Sequence, residues 1–136
     1  MRWRSARSSS VARVAATRVT DEDLADLGRI LDAQRKKLTT GRSALVEDTA
    51  FHQVMARATR NRVVVSIMAT LNDLLVESRK LTLKQEGRPG RSIVGHEAVV
   101  AALRRRDPNA AAEAMREHIN QIGDLLQHAS TPPPHG

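Results

Sequence analysis

The sequence holds no cysteine and no tyrosine, and its 136 residues include two aromatic side chains of the Phe/Trp/Tyr type, Trp3 and Phe51. Without cysteine there is no disulfide scaffold, no cysteine nucleophile and no cysteine-ligated zinc, a usage that fits a reducing cytoplasm. So few aromatic residues count against a sheet protein, because strands favour aromatic and β-branched side chains. They count equally against a reader of RNA or single strands, which stacks bases on aromatic rings. No apolar run approaches the roughly 18 residues of a membrane span, so no membrane is expected as partner. What the chain does have is 40% apolar residues. That is enough, at this length, for one folded domain with its own core.

Charge is unevenly placed within the formal total of +7. Residues 1–20 carry five arginines (Arg2, Arg4, Arg7, Arg13 and Arg18) and no acid, which leaves 17 basic against 15 acidic residues in the remainder. A nearly neutral body announces no nucleic-acid-binding face by itself. The Arg- and Ser-rich start has the composition of a transit peptide, but no continuous apolar stretch follows it as in a secretory signal. The simpler expectation is a basic, disordered or frayed head over residues 1–10 of a truncated chain.

Almost every segment beyond the head carries helical periodicity. A short helix is expected over about 9–18. Thr20-Asp21-Glu22-Asp23 is a capping-box variant opening a second helix, whose Leu24, Leu27, Ile30 and Leu31 recur at helical spacing up to about Leu38. Thr39-Thr40-Gly41 is a stop signal, and Ser43 is placed to cap a third helix over about 44–59. Asn61 marks a break before a long helix over about 62–84, with Val64, Ile67, Met68, Leu71, Leu74, Leu75, Ser78 and Leu81 on its apolar arc. Gly87-Arg88-Pro89-Gly90 has the composition of a loop, with Ser92 capping a helix to about Arg105. Asp107-Pro108 sets Asp at an N-cap and Pro at the first helical position of a last helix reaching about His128. A loose Pro-rich tail is expected over 130–136. The sum is an all-α protein, an antiparallel bundle of about five to six helices joined by short loops.

Turning each helix at about 100° per residue shows where its polar residues point. His96 falls among Ile93, Val99, Val100 and Leu103, and His118 among Ala111, Ala114, Met115, Ile122 and Leu125. His52 is flanked by Leu45, Met55 and Ala56, and Asp48 lies one turn before it on the same face. A lone histidine on an apolar face is more often a hydrogen-bonded core residue than a ligand. Four inward N/O groups on three helices are harder to bury without a shared partner. A divalent metal is one such partner, and Zn²⁺, Ni²⁺, Mn²⁺ and Fe²⁺ all suit imidazole and carboxylate. Spacing alone leaves the metal site and the packed-histidine core both open.

Four motifs in order carry a family resemblance: Asp48…Phe51-His52, then Ala58-Thr59-Arg60-Asn61, then Gly95-His96-Glu97-Ala98-Val99, then Asp107…Ala111…Ala114…His118. Over about residues 11–128 the chain resembles the FadR-type C-terminal domain (FCD) of GntR-family bacterial transcription regulators. The segment from Ala15 to Leu24 is similar to the family's first-to-second helix junction. The resemblance implies an FCD-like bundle, truncated at its first helix, with an effector-binding and dimerisation domain over 11–129. It implies a divalent metal, Zn or Ni foremost with Mn or Fe compatible, on Asp48, His52, His96 and His118. It further implies a small organic acid as effector, with Arg79 on the long helix as a second anion contact unless that arginine is simply a solvated surface residue. A homodimer in the cytoplasm is implied, reaching DNA only through a winged helix that this chain does not contain.

Other readings make different predictions. A metal-dependent helical-bundle hydrolase would also mount His and Asp inside a bundle. Here His96-Glu97 is followed by Val100 rather than the second His of H-E-x-x-H, and no E-x-x-H pair occurs. Arg91 and His96 form an R-x₄-H pattern too short to carry weight, and no general base beyond the four candidate ligands is evident, so no enzyme is expected. A ligand-free dimerisation module would leave the histidines merely packed. Direct DNA binding through Arg104-Arg105-Arg106 competes with the simpler role of three arginines at a helix C-terminus.

Overall fold

A computed structural model describes the backbone of residues 2–84 and 87–130, with side chains over 8–81, 84, 87 and 89–121. Among these residues the chain forms helices and no strand, in the order α1 (Arg2–Arg18), α2 (Asp21–Thr40), α3 (Leu45–Ala58), α4 (Arg62–Leu83), α5 (Arg88–Arg104) and α6 (Pro108–Ser130). The Pro-rich stretch Pro132-Pro133-Pro134 and the side chains of Trp3, Ile122, Leu125, His128 and His135 lie outside the described residues.

Local chemistry accounts for most helix ends. Thr20 and Asp23 form a reciprocal capping box: the Asp23 amide donates to Thr20 Oγ1 and the Thr20 amide to Asp23 Oδ2, both at 3.1 Å. Gly41 closes α2 in the left-handed conformation, φ 68°, with its N–H on the Lys37 carbonyl. Asn61 Oδ1 accepts from the amides of Val63 and Val64, and Asp107 Oδ1 accepts from Ala110, so both expected start signals operate.

Three boundaries differ from expectation. The first helix starts at Arg2 rather than about residue 9, so residues 2–10, expected as a disordered or frayed head, continue it. The N-cap of α3 is Ala44, and Ser43 Oγ instead accepts from the Leu45 amide at 3.3 Å. The fifth helix begins at Arg88 rather than Ser92: Gly87 takes φ 79° as its N-cap and Pro89 sits in the first turn, where its missing N–H costs no helical bond.

The core is built largely from small residues. Ala12, Ala15 and Ala16 of α1, with Val19 just past its end, join Ala111 and Met115 of α6, and Phe51, Met55 and Ala58 of α3 and Val99, Val100 and Leu103 of α5 complete the interior. Alanine on facing surfaces lets helices approach closely, and α1 and α6 form the most extensive helix pair. The long helix α4 stands apart. It packs mainly on α3, contributes no residue to the core cluster, and exposes Val63, Ile67, Leu74 and Leu81 along one stripe.

Candidate metal centre

The four candidate ligands come from three helices, and each points inward as its helical phase requires. Asp48 sits in the first turn of α3 with His52 one turn on, His96 lies mid-way along α5, and His118 lies on α6. Asp48, His96 and His118 are buried, and the His52 side chain is 11% exposed. One ligand atom from each of His52, His96 and His118 lies within 4.8 Å of the others. Asp48 Oδ1 is 3.4 Å from His96 Nε2 and 3.9 Å from His52 Nε2.

These contacts are not those of a satisfied histidine core. Asp48 Oδ1 and His96 Nε2 are fully buried and make no hydrogen bond, although they face each other. A buried carboxylate oxygen and a buried imidazole nitrogen without hydrogen bonds are costly. Three imidazoles and one carboxylate are a donor set suited to a divalent transition metal.

The electrostatics favour an anionic Asp48. Burial alone would raise its pKa, but His96, His52 and Arg79 around it outweigh that and hold the carboxyl well below the usual carboxylate range. Arg79 is not a solvated surface arginine. Its side chain is 15% exposed, its Nε lies 3.5 Å from Asp48 Oδ2, and its guanidinium also donates to Asn72 Oδ1. Burial lowers the Arg79 pKa, and the Asp48 charge offsets part of that effect.

Three residues that shape the cluster were not among the sequence candidates. Phe51 stacks on His96, ring centroids 3.9 Å apart and planes 10° from parallel. Gln34 of α2 reaches the edge of the His96 ring, Oε1 to Nδ1 at 2.9 Å. Gly95 leaves room for the His118 ring, which a Cβ at that position would strike. Gln34 did carry a signal, since it follows Leu27 and Leu31 on the buried face of α2.

Comparison with known proteins agrees with this architecture. The FCD domain family model matches residues 8–121. The HTH-type transcriptional repressor NanR of Cronobacter sakazakii is 34% identical over 116 residues, covering 84% of this chain and 45% of that protein. NanR of Escherichia coli K12 is 30% identical over 116 residues, covering 84% of this chain and 44% of that protein. The chain thus spans about half the length of the curated relatives it matches. A Streptococcus agalactiae GntR structure shares the fold at TM-score 0.75 and 22% identity, over 93% of this chain and 55% of that one. The relatives are transcriptional repressors rather than enzymes, so the hydrolase alternative is set aside. A six-helix bundle, matched by the family model over most of its length and by a GntR structure in fold, identifies the chain as a member of the FCD domain family.

Proposed function

We propose that this chain is the effector-sensing and dimerisation domain of a GntR-type transcription regulator, acting through one divalent metal ion and a small carboxylate ligand. Asp48, His52, His96 and His118 would hold the metal, with Zn²⁺ or Ni²⁺ the best matches to the donor set and Mn²⁺ or Fe²⁺ compatible. The observation that carries the reading is the convergence of three histidine ligand atoms within 4.8 Å, beside a buried Asp48 oxygen that makes no hydrogen bond. A bound cation would supply a fixed positive charge toward which an anionic effector is drawn.

The chain's own residues do the rest. Asp48 stays ionised, the imidazoles offer neutral nitrogens, and Arg79 is placed to act as the second contact for the effector's carboxylate. Because the ligands span α3, α5 and α6, occupancy would tie these helices together and favour one arrangement of the bundle over another. In a cytoplasmic homodimer, with the second copy covering the apolar stripe of α4, that bias would reach winged-helix modules and alter DNA binding. No helix among the described residues is long and apolar enough to cross a membrane.

The test is elemental analysis of untagged protein purified without chelator, beside His96→Ala. About one equivalent of a divalent metal, absent from the variant, is expected, followed by thermal stabilisation with small carboxylates. No metal as purified and no uptake of Zn²⁺, Ni²⁺ or Mn²⁺ would leave a packed-histidine dimerisation module instead.

A further inference from the structure

We propose that Gln34 is a positioning residue that sets the tautomer of His96, keeping its proton on Nδ1 so that Nε2 faces the histidine cluster as a bare electron-pair donor. The inference rests on the metal-centre reading above.

Gln34 is 2% exposed, on a helix that supplies none of the four candidate ligands. Both ends of its amide are engaged: Oε1 lies 2.9 Å from His96 Nδ1, and Nε2 donates to Ser92 Oγ at 3.1 Å. With the carbonyl oxygen toward the ring, Nδ1 must be the donor, and a neutral imidazole then has no proton on Nε2. On the far side of the ring, His96 Nε2 stands 3.4 Å from Asp48 Oδ1 without a hydrogen bond, which leaves Nε2 uncommitted toward the cluster.

The rest of the ring's freedom is removed by stacking. Phe51 lies nearly parallel to His96 and fixes the plane of the imidazole, leaving rotation within that plane to be set by the bond to Gln34. Ser92 lies one turn before His96 on the same helix, so the amide is anchored to the element that carries the ligand. Histidine ligands generally donate their other ring N–H to an acceptor that fixes orientation and raises basicity. Here a neutral carboxamide takes that place and adds no second negative charge beside Asp48.

The test uses the full chain at pH 8 with Gln34→Met, which keeps length and loses the acceptor, and Gln34→Glu, which keeps the acceptor. Long-range ¹⁵N–¹H spectra of the metal-free protein should show His96 protonated on Nδ1 in the wild type and in Gln34→Glu. In Gln34→Met the proton should move toward Nε2. Zinc affinity, measured by competition with a chelator, should fall roughly 10- to 100-fold in Gln34→Met, and Gln34→Glu should rescue it to near the wild-type value. A wild-type His96 protonated on Nε2 overturns the proposal, as does a Gln34→Met protein with unchanged tautomer and zinc affinity. If Gln34→Met does not fold by circular dichroism, Ser92→Ala decides. It removes the anchor of the amide and should shift tautomer and affinity in the same direction, and no change in either overturns the proposal. If the wild type binds no zinc, the metal-centre reading fails, while the spectrum of the metal-free protein still decides the role of Gln34.

Discussion

Asp23 and Asp48 are equally buried, at 1% exposure each, and their surroundings are opposite. Asp23 lies among arginines. Arg57 donates to its Oδ1 at 3.0 Å, Arg60 to its Oδ2 at 2.6 Å, and the Thr20 amide completes the set. Asp48 lies among histidines and Arg79, and one of its oxygens makes no hydrogen bond. Arginine is permanently charged and brings several donors, so it neutralises a carboxylate within the fold. Imidazole brings one donor when neutral and offers its other nitrogen as an electron pair, so a ring of histidines surrounds a carboxylate with further ligands for a cation. The same buried acid thus belongs to a structural joint in one region and to a candidate binding site in the other.

That contrast is most sharply tested by Asp48→Asn. The expected result is loss of the bound equivalent of metal and of the zinc-dependent rise in Tm, read by elemental analysis and thermal melts. Retention of full zinc affinity would erase the distinction between the two acids. Asp23→Ala should do the reverse, costing about 3 kcal/mol in urea unfolding, because it removes a capping box and uncovers two arginines together, while leaving metal stoichiometry unchanged. Asp23 also carries a pH signature. Burial would raise its pKa, but the Thr20 amide and the arginines outweigh that and lower it in the fold. Its contribution is therefore complete above the ordinary carboxylate pKa of about 3.9 and is lost as the pH falls below it. Acid titration of the metal-free chain should show that loss, and Asp23→Ala should flatten it.

Gly95→Ala is expected to cost about 1–2 kcal/mol, because its methyl group meets the His118 ring in a packed interior. Unlike Asp23→Ala, it should also weaken zinc binding, as a displaced His118 leaves the cluster. The smallest effect on the fold itself is expected from Leu74→Ser, within about 0.5 kcal/mol, since that side chain is 72% exposed. Its measurable consequence should be a shift from dimer toward monomer in sedimentation.

Helix count and the inward direction of the candidate ligands were readable because both rest on local rules. Thr20, Gly41, Asn61 and Asp107 act on their neighbours in sequence, and a 3.6-residue period decides which way His96 or His118 points. The start of α5 was not legible because Gly87-Arg88-Pro89-Gly90 has loop composition, yet proline in the first turn of a helix gives up no hydrogen bond. The face of α4 was visible as a periodic arc from Val64 to Leu81, but periodicity does not say what covers it, and this chain leaves Ile67, Leu74 and Leu81 in solvent. The partners of His96 were missed for a different reason. Gln34 and Phe51 reach it from other helices, and only the packing of α2, α3 and α5 sets them there. The proximity of Arg79 to Asp48 likewise depends on how α4 lies against α3.

The histidine cluster also works as a gauge of its own scaffold. A one-residue slip of any contributing helix would move a ring by about 1.5 Å along the axis and 100° around it. Ligand atoms now gathered within 4.8 Å would then scatter. A spectroscopic cation seated among them would therefore report helix register at ångström precision, sounding the alignment of α3, α5 and α6 long before circular dichroism registered any loss of helix.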